Sequence, residues 1–217
     1  MIDPCDAPLT YLITKGEAAS ARFSESSREI LSVLELAVEA AISLIQIREK
    51  HITTKQLFKL ASEAAAVVSG SETKLMVNGR IDVPLAAGAD GVHLPEGGMP
   101  VGAIRNICPA QFLIGASVHS LETATAARRA DADFVLFGPV FDSIGKTGVG
   151  LESLANVCKS LDGFPVLAIG GINESTYQSV LKHGARGYAA IRYLNDKNVL
   201  RELARTRISP RTRPKYV

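Results

Sequence analysis

The residues Gln46, Arg48 and Lys50 place an amide and two positive charges directly after an apolar run, residues 41–45. Alternate side chains of an extended strand share one face, so these three would point the same way. Burying two positive groups is costly unless an anion or an acidic partner compensates them. This basic cluster (Gln46, Arg48 and Lys50) predicts a clamp for phosphate or pyrophosphate, and a structural salt-bridge cluster is the alternative.

Short β-branched runs alternate with longer amphipathic segments along the chain, and this alternation predicts a parallel sheet. Eight strand-helix units in about 200 residues favour a single (β/α)8 TIM barrel, class α/β, over an open doubly wound sheet. The eight predicted strands are residues 9–14, 44–48, 74–78, 91–94, 112–117, 134–137, 165–169 and 187–191. The predicted helices are residues 27–41, 53–69, 121–130, 151–161 and 175–183.

The composition is that of one globular domain, with 217 residues, 47% hydrophobic and 21% charged. We assign residues 1–200 to the barrel and residues 201–217 to a basic C-terminal tail, which has six Lys or Arg residues and one acidic residue. No aromatic residues alternate with the basic ones, so we expect a solvated terminus rather than a nucleic-acid surface.

The three cysteines, Cys5, Cys108 and Cys158, are scattered without metal-ligand spacing, which is typical of a reducing compartment. No apolar run reaches the length of a membrane span, and the N-terminus lacks a signal-peptide pattern. We therefore expect a cytoplasmic protein that binds neither nucleic acid nor membrane. Barrels of this kind commonly self-associate through their outer helices, so a homo-oligomer is a further expectation.

In a TIM barrel the chemistry takes place at the carboxyl ends of the strands. The pair Gly170-Gly171 follows the seventh predicted strand, where glycine lets the backbone approach a phosphate and offer N–H groups. Two histidines lie near the same end. His119 is two residues beyond Ser117, so a continuing strand would point both toward the barrel mouth. His93 lies within the fourth strand, where packing alone could explain it.

Six ordered motifs make the chain resemble the superfamily of thiamine phosphate synthases and TenI-like thiazole tautomerases. The resemblance extends from Tyr11 to about Leu194 and implies the TIM-barrel fold. The motifs are Gln46-Ile47-Arg48-Glu49-Lys50, Asn78-Gly79-Arg80-Ile81-Asp82, Ala89-Asp90-Gly91-Val92-His93-Leu94, Gly115-Ala116-Ser117-Val118-His119-Ser120, Ala132-Asp133-Phe134-Val135-Leu136-Phe137-Gly138-Pro139-Val140-Phe141 and Ala168-Ile169-Gly170-Gly171-Ile172.

The resemblance implies roles for individual residues, with a small phosphorylated thiazole as ligand. Family synthases hold the pyrimidine diphosphate with residues that match Gln46, Arg48, Lys50, Asn78, Ser117 and Lys146. They hold the phosphate of the thiazole with backbone groups that match Gly170, Gly171, Ile191 and Arg192. Arg192 departs from the family pattern, in which a small residue is usual.

The magnesium ligands of the family synthases are missing. Those enzymes carry one Asp after the Asn of the third strand and another at the end of the loop after the fourth, where this chain has Gly79 and Gly98. Magnesium is normally held by one or two carboxylates plus substrate phosphate oxygens. Glu96 or Asp82 could substitute, but Asp82 is better placed to pair with Arg80. We therefore expect no metal site and no cofactor, with Mg²⁺ needed only if the protein is a synthase.

The triplet Asn78-Gly79-Arg80 is characteristic of the tautomerase branch, whose members isomerise a carboxythiazole phosphate to its aromatic tautomer. This reaction needs proton transfer and no metal. The histidine of that branch follows the glycine after strand six, where this chain has Pro139. We expect His119 and Lys50 to be the catalytic residues instead. The alternatives for proton transfer are His93, Glu96 and a bound water.

Three hypotheses follow from the sequence. The first is a metal-independent thiazole tautomerase, and the second is a thiamine phosphate synthase that joins pyrimidine diphosphate and thiazole phosphate. The third is a noncatalytic phosphate-ligand binding or regulatory protein. In the first and third, Arg48 and Lys50 would bind the thiazole carboxylate while Gly170-Gly171 binds its phosphate.

Overall fold

A closed barrel of eight parallel strands, each paired with its neighbours in chain order, forms the centre of the protein. The computed structural model describes residues 7–208. Pairing of the first and last strands, with Leu9 opposite Gly187, closes the ring. The predicted (β/α)8 TIM barrel is therefore confirmed.

Strands and helices alternate along the whole described chain. The strands are β1 (Leu9–Ile13), β2 (Leu44–Ile47), β3 (Lys74–Asn78), β4 (Gly91–Leu94), β5 (Leu113–Val118), β6 (Phe134–Phe137), β7 (Val166–Ala168) and β8 (Gly187–Ala190). The helices are α1 (Phe23–Glu39), α2 (Thr54–Val68), α3 (Asp82–Ala87), α4 (Val101–Arg105), α5 (Leu121–Arg129), α6 (Leu151–Ser160), α7 (Tyr177–Lys182) and α8 (Lys197–Ile208). Short 3₁₀ helices span Ser20–Arg22 and Tyr193–Asn195.

Successive side chains of each strand point to opposite sides of the barrel wall, so the buried side chains of the strands form two cores. One set fills the barrel interior, and it includes Tyr11, Leu44, Met76, Phe134 and Leu167. The intervening residues, such as Leu12, Ile45 and Val77, pack outward against the apolar faces of the helices. Because every strand is covered on both sides, the sequence shows near-continuous apolar runs.

The strand predictions agree with the structure to within one residue at either end, and the five predicted helices are present. Capping boxes fix the starts of α2, with Thr53 and Gln56, and of α5, with Ser120 and Thr123. The predictions omitted α8 and also α3 and α4, which have six and five residues. Helices of fewer than two turns carry too little periodicity to be detected.

The boundary predicted at residue 200 lies inside α8. This helix continues through Arg201 to Ile208, and the rest of the predicted tail lies outside the described residues. Leu200 is fully buried, and Lys197 on α8 donates to Ser32 (2.8 Å) and pairs with Glu29 on α1 (3.0 Å). Thus the first part of the basic segment extends a helix that closes the outer layer. No helix within residues 7–208 has the length and apolarity that crossing a membrane requires.

Candidate functional site at the barrel mouth

The basic cluster splits into one buried and two more accessible side chains. β2 ends at Ile47 because the N–H of Arg48 donates to the side chain of Thr14 (2.8 Å) instead of to a neighbouring strand. Arg48 and Lys50 therefore lie beyond the strand, and a face shared by Gln46, Arg48 and Lys50 stays a prediction. Gln46 is 1% exposed and Arg48 is partly buried, whereas Lys50 is exposed.

Gln46 is satisfied inside the barrel. Its Nε2 donates to the hydroxyl of Tyr11 (2.8 Å), which is fully buried. Burial raises the pKa of Tyr11 far above its ordinary value, so Tyr11 stays a neutral phenol. Gln46 therefore lies at the floor of the mouth, and it has a structural partner that the sequence did not reveal.

Arg48 packs against the loop between β1 and α1. A Cβ placed on Gly16 would lie 3.2 Å from the carbonyl oxygen of Arg48 and 3.3 Å from its Nη1, a tight fit that favours glycine together with its φ of +79°. The buried carboxylate of Glu49 fixes the loop, because it accepts the N–H groups of Gly16 (3.0 Å) and Ala18 (2.8 Å). The sequence motif that contains Glu49 predicts no role for this residue. Glu49 lies between two cationic residues in the sequence, and nothing in that pattern indicates a contact with a distant loop.

A second buried pair lies beside Tyr11. His93 on β4 is 2% exposed, and its Nε2 lies 2.9 Å from Oγ of Ser117 on β5. The rings of Tyr11 and Phe134 lie 5.9 and 6.1 Å from the His93 ring. Burial, together with the positive charge of Arg48, lowers the pKa of His93 to about 3. His93 is therefore neutral at physiological pH, and Ser117 connects it to the mouth.

His119 lies just beyond β5, which ends at Val118, and a face shared with Ser117 stays a prediction. Its Nε2 lies 3.2 Å from a carboxylate oxygen of Glu96, which belongs to the loop after β4. Its Nδ1 contacts the carbonyl oxygen of Gly138 after β6. The imidazole is 38% exposed, so the structure brings together a carboxylate, a histidine and solvent. Such a pair can accept and return a proton.

A cleft of about 240 Å³ opens on the other side of His119. It lies between α5 and α6, and its lining includes Phe137 and Val157 of the outer core. The cleft is therefore separate from the barrel interior. Its volume is below the range of most small-molecule pockets, about 300 to 1,000 Å³.

The residues after β3 form a compact turn. Gly79 adopts a left-handed φ of +75°, and its N–H donates to the carbonyl of His93 (2.8 Å). Arg80 makes two hydrogen bonds to the carboxylate of Asp82 and a third to Thr54. The pairing with Arg80 lowers the pKa of Asp82. Asp82 is therefore committed to Arg80, and Asn78 remains partly buried at the end of β3.

Lys146 lies in the loop between β6 and α6. Backbone hydrogen bonds in both directions join it to Ser143 (2.9 and 3.0 Å), so the loop forms a tight turn at its tip. The Lys146 side chain is exposed. The turn follows β6 at the carboxyl end of the barrel, and contact of Lys146 with a diphosphate stays a prediction.

Gly170 and Gly171 follow β7 and have left-handed φ values of +96° and +66°. A Cβ on Gly170 would lie 2.4 Å from Pro139, and one on Gly171 would lie 2.6 Å from Phe141. Packing against the β6–α6 loop therefore requires both glycines, whether or not a phosphate binds there. Phosphate binding by Gly170, Gly171, Ile191 and Arg192 stays a prediction.

The segment after β8 is also fixed from within. The side-chain amide of Asn195 donates to the carbonyls of Ile13 (2.8 Å) and Ile191 (2.6 Å), so it ties β1 to β8 at the mouth. Arg192 is exposed and precedes the 3₁₀ helix Tyr193–Asn195. Sequence reasoning did not identify Asn195, because its partners lie on the two strands that meet only when the barrel closes.

The side chains present offer few ligands for a metal ion. Within residues 7–208 no three His, Cys, Asp or Glu side chains are placed to hold one. Gly79 and Gly98 supply no carboxylate, and Asp82 is engaged with Arg80. Glu96, in the loop after β4 and 54% exposed, is one carboxylate at the mouth that could serve magnesium. One carboxylate together with diphosphate oxygens is within the usual coordination of this ion.

Comparison with known proteins identifies the family. A model of the family described as thiamine monophosphate synthase matches residues 10–194. The chain belongs to this family. A relative from Geobacter sulfurreducens, named putative thiamine-phosphate synthase, is 37% identical over 94% of this chain and 95% of its own. The thiamine-phosphate synthase of Methanosarcina barkeri is 39% identical over 76% of each chain.

Solved structures agree with the family assignment. The thiamine phosphate pyrophosphorylase from Pyrococcus furiosus superposes with a TM-score of 0.76 at 30% identity, covering 93% of this chain and 97% of that one. A 3-hexulose-6-phosphate synthase superposes with a TM-score of 0.62 at 20% identity, covering 92% and 99%. The second likeness shows the barrel fold alone. The match to the thiamine monophosphate synthase family therefore includes residues of all eight strands of the barrel.

Proposed function

We propose that the protein is a thiamine-phosphate synthase, which joins a pyrimidine diphosphate to a thiazole phosphate. The observation that carries the proposal is the likeness over 94% of the chain to a relative named putative thiamine-phosphate synthase. The family names thus favour the second of the three sequence hypotheses over the first. The positive side chains of Arg48, Lys50 and Lys146 support it, because charge that develops on a departing diphosphate is stabilised by nearby cations.

The other residues of the mouth receive roles by the same proposal. Gln46, Asn78 and Ser117 hold the pyrimidine diphosphate at the ends of β2, β3 and β5. Backbone groups after β7 and β8 hold the phosphate of the thiazole, at Gly170-Gly171 and Ile191-Arg192. Two phosphorylated substrates would then meet across the barrel mouth, with their anionic groups held apart.

Magnesium enters this proposal through Glu96. Its carboxylate and the substrate diphosphate oxygens would hold the ion, which supplies positive charge to the leaving group. Arg48 and Lys50 supply further positive charge from the protein itself. Both family aspartates are replaced by glycine, so fewer carboxylates hold the ion. Arg48 and Lys50 would therefore neutralise more of the diphosphate charge than the same residues do in a site with two carboxylates.

The test is formation of thiamine phosphate from pyrimidine diphosphate and thiazole phosphate in the presence of magnesium. We expect turnover by the wild type and a loss of at least about 100-fold in Arg48→Met, the size of effect that loss of a transition-state charge contact produces. Arg129→Met is the matched control, because Arg129 lies exposed in the last turn of α5, at the far end of the barrel. Absence of product from the wild type would reject the proposal.

A thiazole tautomerase is the second candidate, and one specific contact favours it. His119 and Glu96 lie 3.2 Å apart at the mouth, so the pair can take a proton from one position of a bound thiazole and return one to another. This requires no metal, which agrees with glycine at positions 79 and 98. Lys50, the other catalytic candidate from the sequence, would in this case bind the carboxylate.

The tautomerase is tested by following conversion of carboxythiazole phosphate to its aromatic form. We expect His119→Asn to lose about two to four decades of rate if His119 transfers the proton. His51→Gln is the control, because His51 is exposed in the loop after β2. Conversion no faster than in buffer, or full activity of His119→Asn, would rule out this role.

The third hypothesis predicts binding without turnover. Tight binding of thiazole phosphate by a wild type that is inactive in both assays would support a noncatalytic binder. A cytoplasmic location and self-association remain part of the proposal, the first because the cysteines lack disulfide or metal spacing. Cys108 and Cys158 are free thiols in the structure.

A further inference from the structure

The hydrogen bond between His93 and Ser117 joins a buried residue to one at the mouth. His93 is 2% exposed, and its ring is enclosed by Tyr11, Phe134 and the backbone of Gly115. A Cβ on Gly115 would lie 2.8 Å from Nδ1 of His93, so the Gly115 backbone lies close beside the ring. Ser117 is only partly buried and lies two residues beyond Gly115, the strand partner of His93. The packing around His93 defines the side from which its Nε2 approaches Ser117.

The two ring nitrogens of His93 differ in their surroundings. Nε2 lies 2.9 Å from Oγ of Ser117, whereas Nδ1 is buried without a hydrogen-bond partner among the described residues. A neutral imidazole carries one N–H and one acceptor nitrogen. Leaving a buried donor unpaired costs more than leaving an acceptor unpaired, since orphaned N–H groups are the rarer of the two. The hydrogen of His93 therefore belongs on Nε2.

We propose that His93 is a positioning residue that donates from Nε2 to Ser117 Oγ, so that the hydroxyl hydrogen of Ser117 is directed at an acceptor oxygen of the bound substrate. The identity of that substrate, a pyrimidine diphosphate, rests on the proposed function. The orientation itself rests on the geometry of the buried pair.

Because His93 is neutral, the position of its single N–H decides whether Nε2 donates to Ser117 or accepts from it. A protonated ring would have to bury a positive charge beside Arg48, and both effects hold the pKa of His93 near 3. When His93 is the donor, Oγ of Ser117 accepts that hydrogen bond with a lone pair. The hydroxyl hydrogen of Ser117 is then available to donate to the ligand. If Ser117 donated to His93 instead, the hydroxyl would present only lone pairs to an anionic substrate, which repels them.

Two amide variants separate the proposed role from simple filling of space. The amide nitrogen of Gln can reach the place of Nε2, whereas that of Asn reaches only the place of Nδ1. We expect His93→Gln to keep kcat/KM within about threefold of wild type. We expect His93→Asn and Ser117→Ala each to lower kcat/KM by about 10- to 100-fold, the range for loss of one directed hydrogen bond to a charged ligand.

A double variant tests whether the two residues act together. His93→Asn combined with Ser117→Ala should lose no more than Ser117→Ala alone, because His93 acts through Ser117. Independent losses that multiply would overturn the proposal, and so would equal losses in His93→Gln and His93→Asn. Thermal unfolding of the Gln and Asn variants should be similar, so a difference in kinetics would not follow from stability.

The tautomer can be measured without any reaction. Nitrogen-15 NMR of histidine-labelled wild type should show neutral His93 with its hydrogen on Nε2, and a hydrogen on Nδ1 would overturn the proposal. If the wild type is inactive as a synthase, the proposed function fails while this measurement still decides the tautomer. Inorganic pyrophosphate then serves as the ligand. His93→Asn should weaken its binding at least fivefold and His93→Gln should not, and equal binding by both would also overturn the proposal.

Discussion

The carboxylate of Glu96 lies 3.2 Å from Nε2 of His119, and this contact links the loop after β4 to the end of β5. Both side chains are substantially exposed, at 54% and 38%. Water competes with such a contact, so it contributes little to stability. In the proposed reactions, Glu96 would hold magnesium or His119 would transfer a proton.

Glu96→Gln and His119→Asn should therefore leave the fold intact. We expect each to change the free energy of unfolding by less than about 1 kcal/mol, because exposed pairs contribute about 0 to 1 kcal/mol. Urea denaturation measures this. A decrease of several kcal/mol would assign the pair a structural role, and activity losses in the two variants would then have to be corrected for unfolding.

Glu49→Ala should weaken both the fold and the site. The buried carboxylate accepts two backbone N–H groups of the β1–α1 loop, and removing it leaves these donors unpaired. We expect a loss of about 1 to 3 kcal/mol in urea denaturation. We also expect weaker pyrophosphate binding, because the loop packs against Arg48. Glu72→Ala, at an exposed turn, is the control and should change neither quantity.

Gly115→Ala tests the packing around His93. The added methyl group would lie 2.4 Å from Phe134 and 2.8 Å from His93 Nδ1, so the core must shift. We expect a destabilisation of about 1 to 3 kcal/mol, typical of overpacking. In Gly102→Ala, within α4, the nearest atom would be 4.0 Å away, and alanine favours the helix. That variant should be neutral or slightly stabilising, and equal losses in the two would contradict the packing argument.

Gly79→Asp and Gly98→Asp test whether a carboxylate can be restored to the magnesium site. A Cβ on Gly79 meets nothing closer than 3.9 Å, although its φ of +75° costs a non-glycine residue about 1 kcal/mol. A Cβ on Gly98 would lie 2.9 Å from the carbonyl of Pro95, so its loop must move.

We expect Gly79→Asp to fold and to bind magnesium more tightly in the presence of pyrophosphate, as measured by calorimetry. Gly98→Asp should fold less well and gain less. Gly79→Asn is the matched control, because it carries the same backbone strain without the negative charge. Equal magnesium affinity in the Asp and Asn variants would show that position 79 does not face the ion.

The pH dependence of stability should reveal the buried histidine. The folded protein keeps His93 neutral to about pH 3, whereas the unfolded chain binds a proton below about pH 6.5. Stability is therefore fully present above pH 6.5 and falls as the pH decreases toward 3, by up to about 1.4 kcal/mol per pH unit. Denaturation of His93→Gln between pH 6 and pH 4 should lack this contribution, and parallel curves for variant and wild type would contradict the buried neutral state.

The barrel could be predicted from the sequence because its signals are local. Apolar runs such as Leu44–Ile47 and Phe134–Phe137 lie between amphipathic segments, and each pattern specifies its element without reference to the rest of the chain. The same holds for the family motifs and for the position of His119 beyond Ser117. The end of β2 at Ile47 could not be predicted from a local pattern. It depends on the hydroxyl of Thr14, on the neighbouring segment, which accepts the N–H of Arg48.

The sequence by itself thus determined the strand order, the family and the set of polar residues at the carboxyl ends of the strands. Only the tertiary structure decided their partners: Gln46 with Tyr11, His93 with Ser117, Glu96 with His119 and Glu49 with the β1–α1 loop. Each pair joins segments far apart in the chain. Their contacts depend on the register of neighbouring strands and on closure of β8 against β1, which no local pattern encodes.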